Sequence, residues 1–254
     1  MIKVVIFGSG NVATQLSKAF FKTKKVDLIQ VYSRSTTNSF FAKKKIPVTN
    51  NLDEIKKADA YILAVSDDAI ASFSSKIALK DTLIVHTSGA VSIDAIQTGR
   101  RGVFYPLQTI SKEKKISFKK IPLCIEANSD KDLKLLKKLA KSISDKVYKI
   151  DSEQRKSLHV AAVFVNNFVN HLYAVAEDIC IDKGVDFNIL KPLIQETADK
   201  ILELSPQKAQ TGPAKRKDQN TIEAHLKMLN KEQQEIYQLL TNSIIKKRTD
   251  ENIY

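Results

Sequence analysis

Residues 1–15 read MIKVVIFGSGNVATQ. The run 2–7 is short, apolar and rich in β-branched residues, which predicts a strand. It stops at Gly8-Ser9-Gly10-Asn11-Val12-Ala13, a G-x-G-x-x-A string. Val12, Leu16, Ala19 and Phe20 then recur at helical spacing. Strand, glycine turn and helix in that order is the context in which such a string binds a dinucleotide. Gly8 permits the tight turn, Gly10 lets the backbone approach a pyrophosphate, and Ala13 lets the helix pack close to the strand. The amides and positive dipole end of the first helical turn face the phosphates. Gly8, Ser9, Gly10, Asn11 and Val12 are therefore candidate cofactor-binding residues.

Strand and helix patterns alternate onward from this turn. A second strand is predicted over 27–33 (DLIQVYS). Its end is where an NAD-preferring domain puts an Asp or Glu on the ribose 2′-hydroxyl. Here the chain has Ser33-Arg34-Ser35. An arginine fork with two flanking hydroxyls suits a 2′-phosphate instead, so the expected cofactor is NADP. Further strands are predicted over 58–65 (ADAYILAV), 82–86 (TLIVH), 102–106, 123–126 and 146–150, with a helix over 130–142. The strand ends Ala64-Val65-Ser66 and Thr87-Ser88-Gly89 fall on the carboxyl edge of the sheet, where ligands bind. His86, on that edge, reads either as a catalytic group or as a hydrogen-bonded histidine ending a strand. The alternation predicts an α/β domain, a doubly wound, mainly parallel sheet over 1–150.

At Asp151 the pattern changes. A cap at Asp151 or Ser152 opens a long helix running to about Lys183, with Gly184 as its stop. Its inner face is expected to hold Leu158, Ala162, Val165, Val169, Leu172, Ala176 and Ile179. Helices over 189–204, 221–229 and 232–247 complete an all-α domain over 151–250. Asp218 is most simply the cap of the helix after it.

Composition narrows the functional classes. The chain has 254 residues, 43% of them apolar, and a formal net charge of +13. Its lysines are scattered rather than gathered on one face with interleaved aromatics, so nucleic acid is not an expected partner. The field suits an anionic cofactor. No apolar run is long enough to span a bilayer, and Met1 leads straight into a strand without a basic head or cleavage site. Neither cysteine suggests a disulfide or a metal site. These features predict a cytoplasmic protein without metal.

The strings AVSDDAI at 64–70, VHTSGA at 85–90, YPLQTI at 105–110, HVAAVFVNNFVNHL at 159–172 and TGPAKRKD at 211–218, followed by His225, span nearly the whole chain. With the two-domain layout they resemble Rossmann-like proteins that carry a DUF2520 domain, within the 6-phosphogluconate dehydrogenase-like superfamily. That resemblance implies a C-terminal domain like that of 6-phosphogluconate dehydrogenase. It also implies a small substrate held between the domains, and a homodimer formed through the helical domain.

Departures from the related patterns narrow the catalytic candidates. The hydroxyacid dehydrogenases of the superfamily carry a Lys one turn before a substrate-binding Asn. Placing that Asn on Asn167 puts Val163 at the lysine position, so the expected acid/base for alcohol oxidation is absent. Tyr105 stands where the DUF2520 pattern has His, and Lys217 where it has Gly. The catalytic candidates are His86, Tyr105, His159 and Asn167. Asn166, Asn170 and Arg216 are candidates for binding substrate, since His159, Asn166 and Asn170 share one face of a regular helix. The expected activity is NADP-dependent hydride transfer to or from a small substrate. The alternative is a dinucleotide-binding sensor without turnover.

Overall fold

The computed structural model describes all residues except 35–38, 78–80, 98, 112, 113, 115 and 252–254, and leaves out the side chains of 248–251. The chain divides into two compact units, residues 1–166 and 167–254.

The first unit is built on eight strands in the order β3-β2-β1-β4-β5-β6-β7-β8. They are β1 (Ile2–Phe7), β2 (Val26–Tyr32), β3 (Val48–Thr49), β4 (Ala60–Leu63), β5 (Leu83–His86), β6 (Arg100–Pro106), β7 (Leu123–Ala127) and β8 (Val147–Lys149). The strands from β1 to β6 pair in parallel. Strand order reverses between β1 and β4, which places the topological switch point at the glycine turn. Both faces of the central strands are buried. Val4 and Ile6 point into one apolar cluster with Leu16 and Phe20, while Val5 and Phe7 point into another with Tyr61 and Ile70. That explains why β1 reads as a continuous apolar run rather than an alternating one.

Beyond β6 the direction changes. β7 pairs with β6 antiparallel, and β8 pairs with β7 in parallel. β5 ends opposite β6 at the pair His86 and Val103. β6 continues, with Phe104, Tyr105 and Pro106 paired to Ile125, Cys124 and Leu123. β6 thus carries Tyr105 beyond the end of β5, its parallel neighbour.

The helices of this unit are α1 (Asn11–Phe21), α2 (Ser39–Lys43), α3 (Ile70–Ser74), α4 (Asp130–Lys141) and α5 (Ser152–Ala162). Asp151 is the cap of α5, in a reciprocal box: its carboxylate accepts from the Gln154 amide, and the Gln154 side chain accepts from the Asp151 amide. Two orphan amides are satisfied by one residue pair.

The helical backbone after α5 widens into a π-helical segment, Val163–Phe168, before α6 (Val169–Asp182). A π-turn bonds each residue to the fifth along, so a uniform period of 3.6 residues does not run through it. The single stripe expected for His159, Asn166 and Asn170 therefore does not follow from spacing. Val165, expected on the inner face, is 74% exposed. Gly184 stops α6 at φ +65°, as its sequence position predicts.

The second unit adds α7 (Lys191–Glu203), α8 (Pro206–Ala209), α9 (Pro213–Arg216), α10 (Gln219–Met228) and α11 (Lys231–Glu251). No strand occurs in it among the described residues. Asp218 caps α10, accepting from the Thr221 amide at 3.1 Å and the Thr221 hydroxyl at 2.8 Å. No helix of the described residues is long and apolar enough to cross a membrane.

Candidate dinucleotide site and the Tyr105–His159 pair

The glycine turn is set by close packing. Gly8 has φ +122°, and a Cβ there would come within 2.2 Å of the Ala64 carbonyl oxygen at the end of β4. Only glycine fits such a position. Its amide donates to Tyr32 O at 2.8 Å, and the Ala64 amide donates to Phe7 O at 2.8 Å, so the turn is clamped between β2 and β4. Gly10 differs: a Cβ built there meets nothing within 4 Å. It precedes α1 and supplies no side-chain cap. The opening amides of a helix have no intrahelical partners, so the end of α1 beside Gly10 offers donors toward open space. Asn11 anchors outward, its side-chain amide donating to Ile110 O at 3.1 Å.

At the end of β2, Ser33 is buried and its hydroxyl donates to Ser9 Oγ at 2.8 Å, tying this strand end to the glycine turn. Arg34 follows, exposed. Ser35 lies outside the described residues. Val65 packs against the apolar cluster around Phe7, and Ser66 is exposed. The Thr87 amide and hydroxyl both reach Leu63 O, at 3.2 and 3.4 Å, which holds the loop after β5 beside the end of β4. The turn, Arg34 and these two strand ends gather on one edge of the sheet. Glycine-lined open space, helical amides and an exposed guanidinium are donors suited to phosphates. Among the described residues there is no cluster of metal-ligating side chains.

His86 is fully buried. Its Nδ1 accepts from the Ser88 amide at 3.2 Å, and its Nε2 donates to Ser92 O at 3.3 Å. Burial, reinforced by the positive charge of Arg155, lowers its pKa to about 4. This is the geometry of a hydrogen-bonded histidine at a strand end. It is neutral, and both ring nitrogens are spent on the loop that carries Ser88 and Gly89. The Ser88 hydroxyl accepts from the Ala90 and Val91 amides, each at 3.1 Å, and folds that loop further.

Tyr105 and His159 come together. The phenol oxygen lies 3.1 Å from His159 Nδ1, with the rings edge to face at 74°. The backbone of Gly89 presses on both: a Cβ there would come within 2.6 Å of His159 Nδ1 and 2.9 Å of Tyr105 Cζ. Burial raises the phenol's pKa, so Tyr105 stays protonated through the ordinary pH range. Cys124, paired across the sheet from Tyr105, is pushed up to about 11 by burial and remains a thiol.

The sequence reading missed the group beneath this pair. Arg155 on α5 is fully buried. Its guanidinium donates to Glu126 on β7, to Val91 O, and to Ser152 Oγ at 3.1 Å. Ser152 Oγ in turn donates to Glu126 and accepts from the Ile93 amide at 3.0 Å. Ser152, Arg155 and His159 stand on one helical stripe, and together they hold the loop from Gly89 to Ile93. The available signal was position: Arg155 lies one turn before Leu158 and two before Ala162, at the head of the stripe read as the inner face.

Asn166, Asn167 and Asn170 are exposed. Arg216 lies 3.9 Å from Asp218 in an exposed ion pair.

The family model for a Rossmann-like domain matches residues 1–108, and that for a domain of unknown function, DUF2520, matches residues 121–244. A Bacteroides fragilis protein named "putative NADP oxidoreductase" is 41% identical, covers 96% of this chain and 98% of its own, and superposes with a TM-score of 0.86. The chain belongs to the family of Rossmann-like proteins with a DUF2520 domain. Two more distant structures share the fold. A pyrroline-5-carboxylate reductase from Streptococcus pyogenes is 14% identical, with 97% of each chain covered and a TM-score of 0.65. An imine reductase from Myxococcus stipitatus, in complex with NADP+, is also 14% identical, with 96% and 92% covered and a TM-score of 0.62. No curated protein matches the sequence.

Proposed function

We propose that this Rossmann-like, DUF2520-containing protein is an NADP-dependent oxidoreductase of the cytoplasm. The observation that carries the reading is the contrast between its two turn glycines. Gly8 is packed against Ala64 O, whereas Gly10 faces open space at the start of α1. A backbone cleared in this way beside helical amides suits a pyrophosphate. Ser9, Asn11 and Val12 complete that turn, Arg34 with Ser33 and Ser35 takes the 2′-phosphate, and 64–66 with 87–89 border the nicotinamide. NADP bound there supplies the hydride chemistry. The name of the Bacteroides fragilis relative and the NADP+ complex of the imine reductase agree with this choice of cofactor.

On the protein side, His159, hydrogen-bonded to Tyr105, is the group that meets a small substrate. A titration of the protein with NADPH and NADH by fluorescence tests the cofactor. Equal affinity for the two, or none for either, overturns the reading. Val163, in place of a catalytic lysine, favours a second reading as a dinucleotide sensor. Tight NADPH binding with no NADPH consumption across carbonyl and imine substrates selects it.

A second copy of the chain is the proposed partner. Ile181, Leu193, Leu202, Met228 and Leu239 are all more than half exposed on the helical unit, a pattern that marks an interface. Sedimentation at several concentrations tests for the dimer.

A further inference from the structure

Tyr105 is 9% exposed, and His159 Nδ1 is its hydrogen-bond partner among the described residues. A buried hydroxyl hydrogen needs an acceptor. Nδ1 can accept only when it carries no proton, and a neutral imidazole then carries its hydrogen on Nε2. The reverse arrangement, with Nδ1–H donating to the phenol, would leave the buried phenol hydrogen without an acceptor. Nε2 has no partner among the described residues, and His159 is only half-buried. Gly89 fixes the pair from the other side, in the loop that follows β5 at the ligand-binding edge of the sheet.

We infer that Tyr105 locks His159 in the Nε2–H form, and that this N–H is a hydrogen-bond donor for an oxygen atom of the ligand, a carbonyl or a carboxylate. His159 is the residue that touches the ligand, and Tyr105 is a positioning residue acting through Nδ1. This assignment rests on the oxidoreductase reading for its location and goes beyond it in substrate class. A donor at that point selects oxygen acceptors and disfavours ammonium groups. Tyr105 is thereby not itself the group that meets the substrate.

The test is the tautomer of His159. The chain has four histidines, so long-range proton–nitrogen NMR spectra of histidine-labelled protein resolve each ring, and His159→Gln identifies the peak. The wild-type protein at neutral pH is expected to show an unprotonated Nδ1 and a protonated Nε2. A protonated Nδ1 overturns the proposal without recourse to any variant. Tyr105→Phe, which keeps the ring and removes the hydroxyl, is expected to lose the single tautomer.

Formate, small enough to enter any site that admits a substrate, is then titrated into the NADPH-saturated protein. A shift of the His159 Nε2 signal in the wild type, lost in Tyr105→Phe, supports the ligand assignment. No shift overturns it. NADPH affinity measured on the same samples judges the cofactor reading separately. Tyr105→Phe should change that affinity by less than about twofold if Tyr105 acts only through His159.

Discussion

Gly8 and Ala64 stand so close that a single added carbon on Gly8 would lie 2.2 Å from the Ala64 carbonyl oxygen. The contact joins the first loop of the sheet to the end of β4, and it has no slack. Gly8→Ala meets both a backbone clash and a φ of +122°, outside the range of L residues. The expected cost is more than about 1 kcal/mol of stability, together with loss of NADPH binding. Gly10→Ala, with nothing within 4 Å, should fold as the wild type yet lose affinity. Urea unfolding and NADPH fluorescence on both variants separate the two roles.

Arg34 is exposed, so its removal should leave folding unchanged. Charge-assisted hydrogen bonds to a phosphate contribute about 1.5–3 kcal/mol. Arg34→Ala should therefore weaken NADPH binding roughly ten- to a hundredfold while leaving NADH affinity as it was. Equal weakening of both cofactors would remove Arg34 from the 2′-phosphate.

Arg155 and Glu126 form a buried ion pair. Removing one partner strands the other charge, which typically costs about 3–5 kcal/mol. Arg155→Met also leaves Val91 O without its donor. A lower urea midpoint is expected, along with faster amide exchange over 88–93. A midpoint within experimental error of wild type would contradict the clamp described for this loop.

His86 sets a pH dependence. Its folded pKa is lowered to about 4 from the ordinary value of 6.5. Between these values the unfolded chain binds the proton and the folded one does not, so acid favours unfolding. The stability tied to neutral His86 is complete above about pH 6.5 and is lost as pH falls toward 4. A shift of this size corresponds to about 3 kcal/mol. His86→Gln should flatten that part of the stability–pH curve, read as urea midpoints from pH 7 to pH 4.

The glycine turn, the strand alternation and the helical second half were legible because each is local. Apolar runs, glycine placement and caps such as Asp218 declare themselves within a few residues. Tyr105 and His159 could be named singly as candidates, but they are 54 residues apart, and nothing in the chain announces that they meet. Arg155 was passed over for the same reason. Glu126 lies 29 residues away from it and Val91 64, so a buried charge looked like one more basic residue in a lysine-rich chain. The wide turn at Val163–Phe168 was also illegible, because the periodic reading presumes 3.6 residues per turn. His86 was readable in both its guises, but its two backbone partners, Ser88 and Ser92, were not legible in the chain.

The helical unit has few buried apolar side chains of its own. Cys180, Ala214 and Ile222 are those of 167–254 among the described residues. So small a core cannot by itself offset the conformational entropy of ordering that length of chain. If a second copy covers the exposed leucines and isoleucines, the stability of this half becomes a matter of mass action. Each tenfold dilution then weakens the assembled state by about 1.4 kcal/mol, and the helical unit melts earlier in dilute solution than in concentrated solution. The sheet unit, with its buried strands on both faces, carries no such debt to concentration.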